Sequence, residues 1–159
     1  MRPVLFVLIF LLVSSCGPQY IYQETVEIPQ AEWQYDNLLK FDFDIQDTNR
    51  IYNLSLDITH SPDFSFQNIY TQIHTSFPSG EKIKEQVPFN FADKTGRWFG
   101  RCSKEWCTLE LKIQENAFFN ALGQHTISIE QYLRVNPLSG IKSMTLKIED
   151  TGINKNDQL

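Results

Sequence analysis

The chain has 159 residues, 42% of them hydrophobic and 21% charged, with 14 Lys and Arg against 19 Asp and Glu. A net charge of −5 excludes a nucleic-acid binder, which needs a basic footprint to neutralise phosphates, and no polybasic stretch offers a hold on anionic lipid. The length suits one domain burying about 68–70% of the surface of its unfolded chain.

The first element is a targeting segment. Arg2 precedes an unbroken apolar run from Val4 to Val13, then the small residues Ser14 and Ser15, then Cys16. That is the pattern of an export signal. Ten apolar residues reach only about 15 Å as a helix against a hydrocarbon core of roughly 30 Å, so the run does not span a bilayer. Leu12-Val13-Ser14-Ser15-Cys16 resembles the lipobox of bacterial lipoproteins. The resemblance implies that residues 1–15 are removed and that Cys16 carries the lipid. Two or three acyl chains, at about 0.8 kcal/mol per buried methylene, hold a protein on a membrane where one chain would not. Residues 16–28 then read as a tether. No acidic cluster follows the cysteine, which favours the periplasmic side of the cell membrane or outer membrane over the exterior.

Over 29–150 the dominant signal is alternation with period two, the mark of strands with one buried face. Phe41, Phe43 and Ile45 alternate with polar residues, as do Tyr52, Leu54, Leu56 and Ile58. Ile69, Thr71, Ile73 and Thr75 predict the next strand, and Ile83, Val87, Phe89 and Phe91 another. Pro88 gives that one an edge position or a bulge. Leu109, Leu111 and Ile113, then Ile127, Ile129 and Leu133, then Met144, Leu146 and Ile148 complete seven or eight strands. Turn residues separate them at Asp47-Thr48-Asn49, Pro78-Ser79-Gly80, Asp93 to Gly96 and Ser139-Gly140. Gln114 to Leu122 is the one stretch with the pattern of a short helix, so helices cannot cover a parallel sheet. The expected fold is all-β, an antiparallel two-sheet β-sandwich or jelly roll with at most one short helix. Residues 151–159 read as a polar, frayed tail.

With Cys16 acylated, Cys102 and Cys107 are left in a compartment that permits disulfides. Four residues lie between them, and a hairpin of that length sets the two directly opposite each other. The pair therefore reads as a disulfide clasp worth roughly 2 kcal/mol. Half of a metal site is the weaker alternative, since His60, His74 and His125 are not spaced as ligand pairs. A redox centre is weaker still, because no helix start follows to lower a thiol pKa.

No phosphate loop, nucleophile elbow or zinc-protease motif is present, and no catalytic, cofactor or metal residue is assigned. His74 and His125 sit in strand-like runs and His60 precedes the Ser61-Pro62 turn. Asp42 and Asp44 share a strand face, which reads as a solvated acidic stripe more readily than as part of a calcium site. Trp33, Trp98 and Trp106 could stack on sugar, but core and loop anchoring is the simpler role.

A set of fragments taken in order resembles the gliding-motility lipoprotein GldH family of the Bacteroidota. They are the lipobox; Trp33 followed by Phe41-Asp42-Phe43; Tyr52-Asn53-Leu54; Phe66-Gln67-Asn68-Ile69-Tyr70; Pro78-Ser79-Gly80; Gly96-Arg97-Trp98-Phe99-Gly100; Gly123 to Ile129; Gln131-Tyr132-Leu133-Arg134; and Leu138-Ser139-Gly140-Ile141. The resemblance implies a non-catalytic cell-envelope lipoprotein needed for gliding and linked to type IX secretion. It would act through protein partners in that machinery, without a cofactor. A lipid-anchored carbohydrate-binding module is the alternative expectation.

Overall fold

The computed structural model describes residues 17–158; the expected export signal and Cys16 lie outside these. Eight long strands carry the fold: β1 (Gln19–Glu27), β3 (Leu39–Ile45), β4 (Arg50–His60), β5 (Asn68–Ser76), β6 (Lys82–Asn90), β8 (Cys107–Ala117), β9 (Gly123–Gln131) and β11 (Ile141–Asn154). Short strands β2 (Glu32–Trp33), β7 (Arg101–Cys102) and β10 (Leu138–Ser139) lie in the connections. One sheet has the order β1-β11-β4-β8-β7 and the other β3-β9-β5-β6, with every strand pair antiparallel. This is a jelly roll, the double-sheet arrangement expected from the alternation.

The alternating residues meet between the sheets. Leu54, Leu56 and Ile58 lie opposite Ile148, Leu146 and Met144 across the β4–β11 pair, and all six are buried. Leu39, Phe41, Phe43, Ile127, Ile129 and Ile69 face them from the second sheet and join the same core. Pro88 sits in β6, an edge strand of its sheet, where its missing N–H leaves no ladder bond unmade.

Four expectations need correction. Residues 19–27, read as tether, form an edge strand on β11. An irregularity between Tyr20 and Tyr22 and the inward packing of only Tyr22 and Val26 conceal its alternation. The polar tail is likewise absorbed, since β11 continues to Asn154 and a 3-10 turn spans Lys155–Gln158. Gln114 to Leu122 is no helix: β8 runs through Ala117 and a short loop follows. The long β4–β8 pairing overrides the local helical pattern. Ile83 does not reach the packed core and remains 40% exposed, because it lines an open cleft between β6 and β8.

The connections are unequal at the two ends. Strand directions place residues 28–38, 61–67, 91–106 and 132–140 at one end, and the short turns 46–49, 77–81 and 118–122 at the other. Gln19 and Asn154 both belong to the turn-bearing end.

Candidate functional site

Long loops on a rigid scaffold are where binding residues concentrate, and the loop-bearing end is built from inside outwards. Buried Gln131, at the end of β9, donates from Nε2 to the Val135 carbonyl and accepts the Leu133 N–H at Oε1, both at 3.0 Å. Those two bonds shape the 132–136 loop, which closes on a cis Asn136-Pro137 bond. The Tyr35 hydroxyl donates to the Leu133 carbonyl at 2.8 Å and its N–H to Asn136 Oδ1 at 3.0 Å, tying in the 34–38 loop. The Tyr132 N–H donates to the Tyr70 carbonyl at 2.8 Å. Tyr35, Leu38, Tyr70, Tyr132 and Val135 are thereby held at this end with their side chains exposed. Aromatic groups with an apolar body and a polar tip are what interface cores favour.

Beneath the loops lies an aromatic box around His60. The residue ends β4, just before the Ser61-Pro62 turn, opposite Cys107 and Ile141, and is fully buried. Its ring lies 4.8 Å from Trp98, 5.1 Å from Phe91 and 5.8 Å from Phe64. Nδ1 is 2.8 Å from the Ser61 carbonyl, which can only accept, so Nδ1 carries the proton. Desolvation outweighs that bond and lowers the pKa below the ordinary histidine value. A histidine whose folded pKa is depressed contributes its full stability above the unfolded value of about 6.5, and loses it as pH falls through and below that value. The urea midpoint is therefore expected to drop between about pH 7.5 and about pH 5 by more in the native chain than in His60→Phe. Equal drops in the two proteins would refute the assignment.

Cys102 and Cys107 are disulfide-bonded, with α-carbons 3.9 Å apart. The Ser103 N–H donates to the Trp106 carbonyl, making that couple the hydrogen-bonded pair. The cysteines form the neighbouring non-hydrogen-bonded pair, where strands approach closest. Asp93 holds the preceding turn by accepting from the Thr95 hydroxyl and from the Thr95 and Arg97 N–H groups, and these bonds lower its pKa to about 2.

The structure scatters the other candidates. Trp33 is wholly buried, Trp98 donates to the Pro62 carbonyl at 3.2 Å, and Trp106 is covered by Lys142 at 5.2 Å, so the three make no common platform. His125 is buried against Phe43, Phe77 and Phe119 at the opposite end, with Nδ1 on the Gly123 carbonyl. His74 lies 3.1 Å from Glu130 on an outer sheet face, with Lys84 3.5 Å from the same carboxylate oxygen. Asp42 is paired with Lys40 and Thr126. Among the described residues no group of three His, Cys, Asp or Glu side chains is placed to hold a metal, and no helix is long and apolar enough to cross a membrane.

Between β6 and β8 the sheets splay around a cleft of about 860 Å³, lined by Ile73, Val87, Ile113, Phe119 and Ile127 with Glu81 and Glu85. None of the three histidines lines it. The exposed side chains of the loop-bearing end were not singled out from the sequence, since an isolated tyrosine in a loop carries no pattern. The signal lay in the family fragments: Phe66 to Tyr70, Gly96 to Gly100, Gln131 to Arg134 and Leu138 to Ile141 all meet here.

Comparison with solved structures returns β-sandwich modules at low similarity. One is a carbohydrate-binding module of family 28 specific for non-crystalline cellulose, at 13% identity and TM-score 0.38, covering 80% of this chain and 70% of that one. Another is a family 61 module in complex with β-1,4-galactotriose, at 10% identity and TM-score 0.32, covering 84% and 91%. Sequence relatives are more telling. The gliding motility lipoprotein GldH homolog of Christiangramia forsetii is 28% identical over 152 residues, 91% of this chain and 93% of the relative. The gliding motility lipoprotein GldH of Flavobacterium johnsoniae is 23% identical over 146 residues, 87% and 90%. The model of the GldH lipoprotein family matches residues 20–148, nearly the whole jelly roll, and the chain belongs to that family.

Proposed function

We propose that the protein is a non-catalytic component of the gliding-motility apparatus, linked to type IX secretion. Its lipid is on Cys16, it faces the periplasm, and it acts through protein contacts made by its loop-bearing end. The observation that carries the reading is placement. Tyr35, Leu38, Tyr132 and Val135 are exposed on loops held by their own hydrogen bonds, beside exposed Tyr70 near the start of β5, at the end opposite Gln19, where the chain leads back to Cys16. Few side chains dominate most interfaces, and tyrosines are prominent among them.

Deleting the gene in a gliding host should abolish surface spreading. The intact chain should restore it, while the Tyr35→Asp/Tyr132→Asp chain should fail although it reaches the membrane in normal amount. Spreading that survives deletion would remove the motility assignment, and full rescue by the double variant would remove the loop surface. The exposed tyrosines also suit a lipid-anchored carbohydrate-binding module. Glycan retention by the purified chain, lost with Tyr70→Ala and Tyr132→Ala, would favour that reading.

A further inference from the structure

The turn-bearing end carries a second set of exposed apolar groups. Leu122 is 59% exposed and Phe118 47%, both in the 118–122 turn between β8 and β9. Ile153, at the end of β11, is also exposed. Lys155 places its Nζ 3.8 Å from the centre of the Phe118 ring, and its N–H donates to the Asn49 carbonyl, binding the C-terminal turn to the 46–49 turn.

The length of chain leading to this end says what it faces. Because β1 begins at Gln19, only Gly17 and Pro18 separate the sheet from Cys16. Three residue steps reach at most about 11 Å. The cross-sheet register Gln19–Asp150, Asp150–Tyr52 and Tyr52–Ala117 puts Phe118 level with the start of β1. Three strand spacings, about 14 Å, separate them across the sheet. A domain anchored through so short a link cannot stand off on a stalk, and the 118–122 turn shares the end that the link draws down.

We infer that the turn-bearing end lies directly on the bilayer, with Phe118 and Leu122 inserted at the boundary of headgroups and acyl chains and Lys155 reaching the phosphates beside them. The inference rests on the reading of Cys16 as the acylated residue. An apolar side chain flanked by a lysine that carries its charge back to the interface is the chemistry of a membrane-surface contact. Lipid is the occupant of this surface, and the apolar contact requires no anionic headgroup. One orientation follows. β4, with 11 residues, spans roughly 37 Å, so the loop-bearing end is presented about that far from the membrane.

The test uses the full lipidated chain in vesicles of phosphatidylethanolamine and phosphatidylglycerol containing nitroxide-labelled lipid. An environment-sensitive fluorophore is attached at Leu122→Cys in one sample and at Tyr132→Cys in another; both positions are exposed, so neither substitution removes a core group. Acylation of Cys16 is read by mass spectrometry on the same samples. Quenching several-fold stronger at position 122 than at position 132, with a blue-shifted emission at 122, is the expected result. An acylated, vesicle-bound chain with a water-exposed probe at 122, or with equal quenching at both positions, would overturn the inference. A chain without lipid on Cys16 would overturn the anchoring reading and the inference with it.

Discussion

Trp33→Ala should lower the unfolding free energy by about 3–5 kcal/mol, the range for removing a large aromatic from a packed interior. Trp33 lies in β2, a strand of two residues paired only with β10, and little hydrogen bonding of its own holds that pairing. Its side chain does the holding. The ring is fully buried and Nε1 donates to the Asn37 carbonyl at 2.8 Å, so one residue anchors the 34–38 loop and connects it to the core. Truncation leaves a cavity and frees a carbonyl. Urea unfolding measures the effect as a shift of midpoint at constant slope. A loss under about 1 kcal/mol would mean that the site collapses without cost, contrary to a packed core. Because Tyr35 lies in the same loop, the variant should also weaken whatever contact the exposed tyrosines make.

Gly100→Ala should cost about 3 kcal/mol, at the upper end of overpacking changes. A Cβ built there would lie 2.4 Å from the Thr108 carbonyl oxygen, 2.8 Å from its carbon and 3.0 Å from the Leu109 Cα. Every one of those atoms is backbone of β8, a central partner of β4, and none can swing aside as a side chain would. Relief would require prying the 98–102 segment away from β8, against a hairpin closed by the Cys102–Cys107 disulfide. Gly80→Ala is the comparison. Gly80 has φ +86° but open space around its Cβ position, so it should lose only about 1 kcal/mol from left-handed backbone strain. Thermal unfolding of the two variants separates the causes, and similar losses would show that close approach is not what position 100 requires.

Much of the jelly roll was legible because most of its strands bury one face against the other sheet, which writes itself as strict alternation. β3 shows this from Leu39 to Ile45, where burial switches at every residue. β4 and β9 nearly match it. The alternation fails where that physical condition fails. In β1 the edge position and the irregularity near Tyr20 leave two residues facing inward, and the strand passed for a tether. In β6 the first half lines the open cleft instead of packing on the facing sheet, so Ile83 gave a false core signal. The Ala117 to Leu122 stretch has helical spacing of apolar residues, but Ala117 and Phe119 belong to the core while Phe118 and Leu122 are exposed. Only the turn between two strands accommodates that division.

The sequence by itself determined the class of the protein: an all-β domain, an acidic balance, and the ordered fragments that mark the GldH lipoprotein family. These are local properties, carried by runs of a few residues and by their order. What only the tertiary structure decided is which residues share an end. Tyr35, Tyr70 and Tyr132 are far apart in the chain and meet because antiparallel strands return four long connections to one side. Phe118 and Lys155 meet each other, on the level of Gln19, because the register of β1, β11, β4 and β8 aligns them. No short window contains such pairings, since register is a relation between segments set by the burial of whole faces.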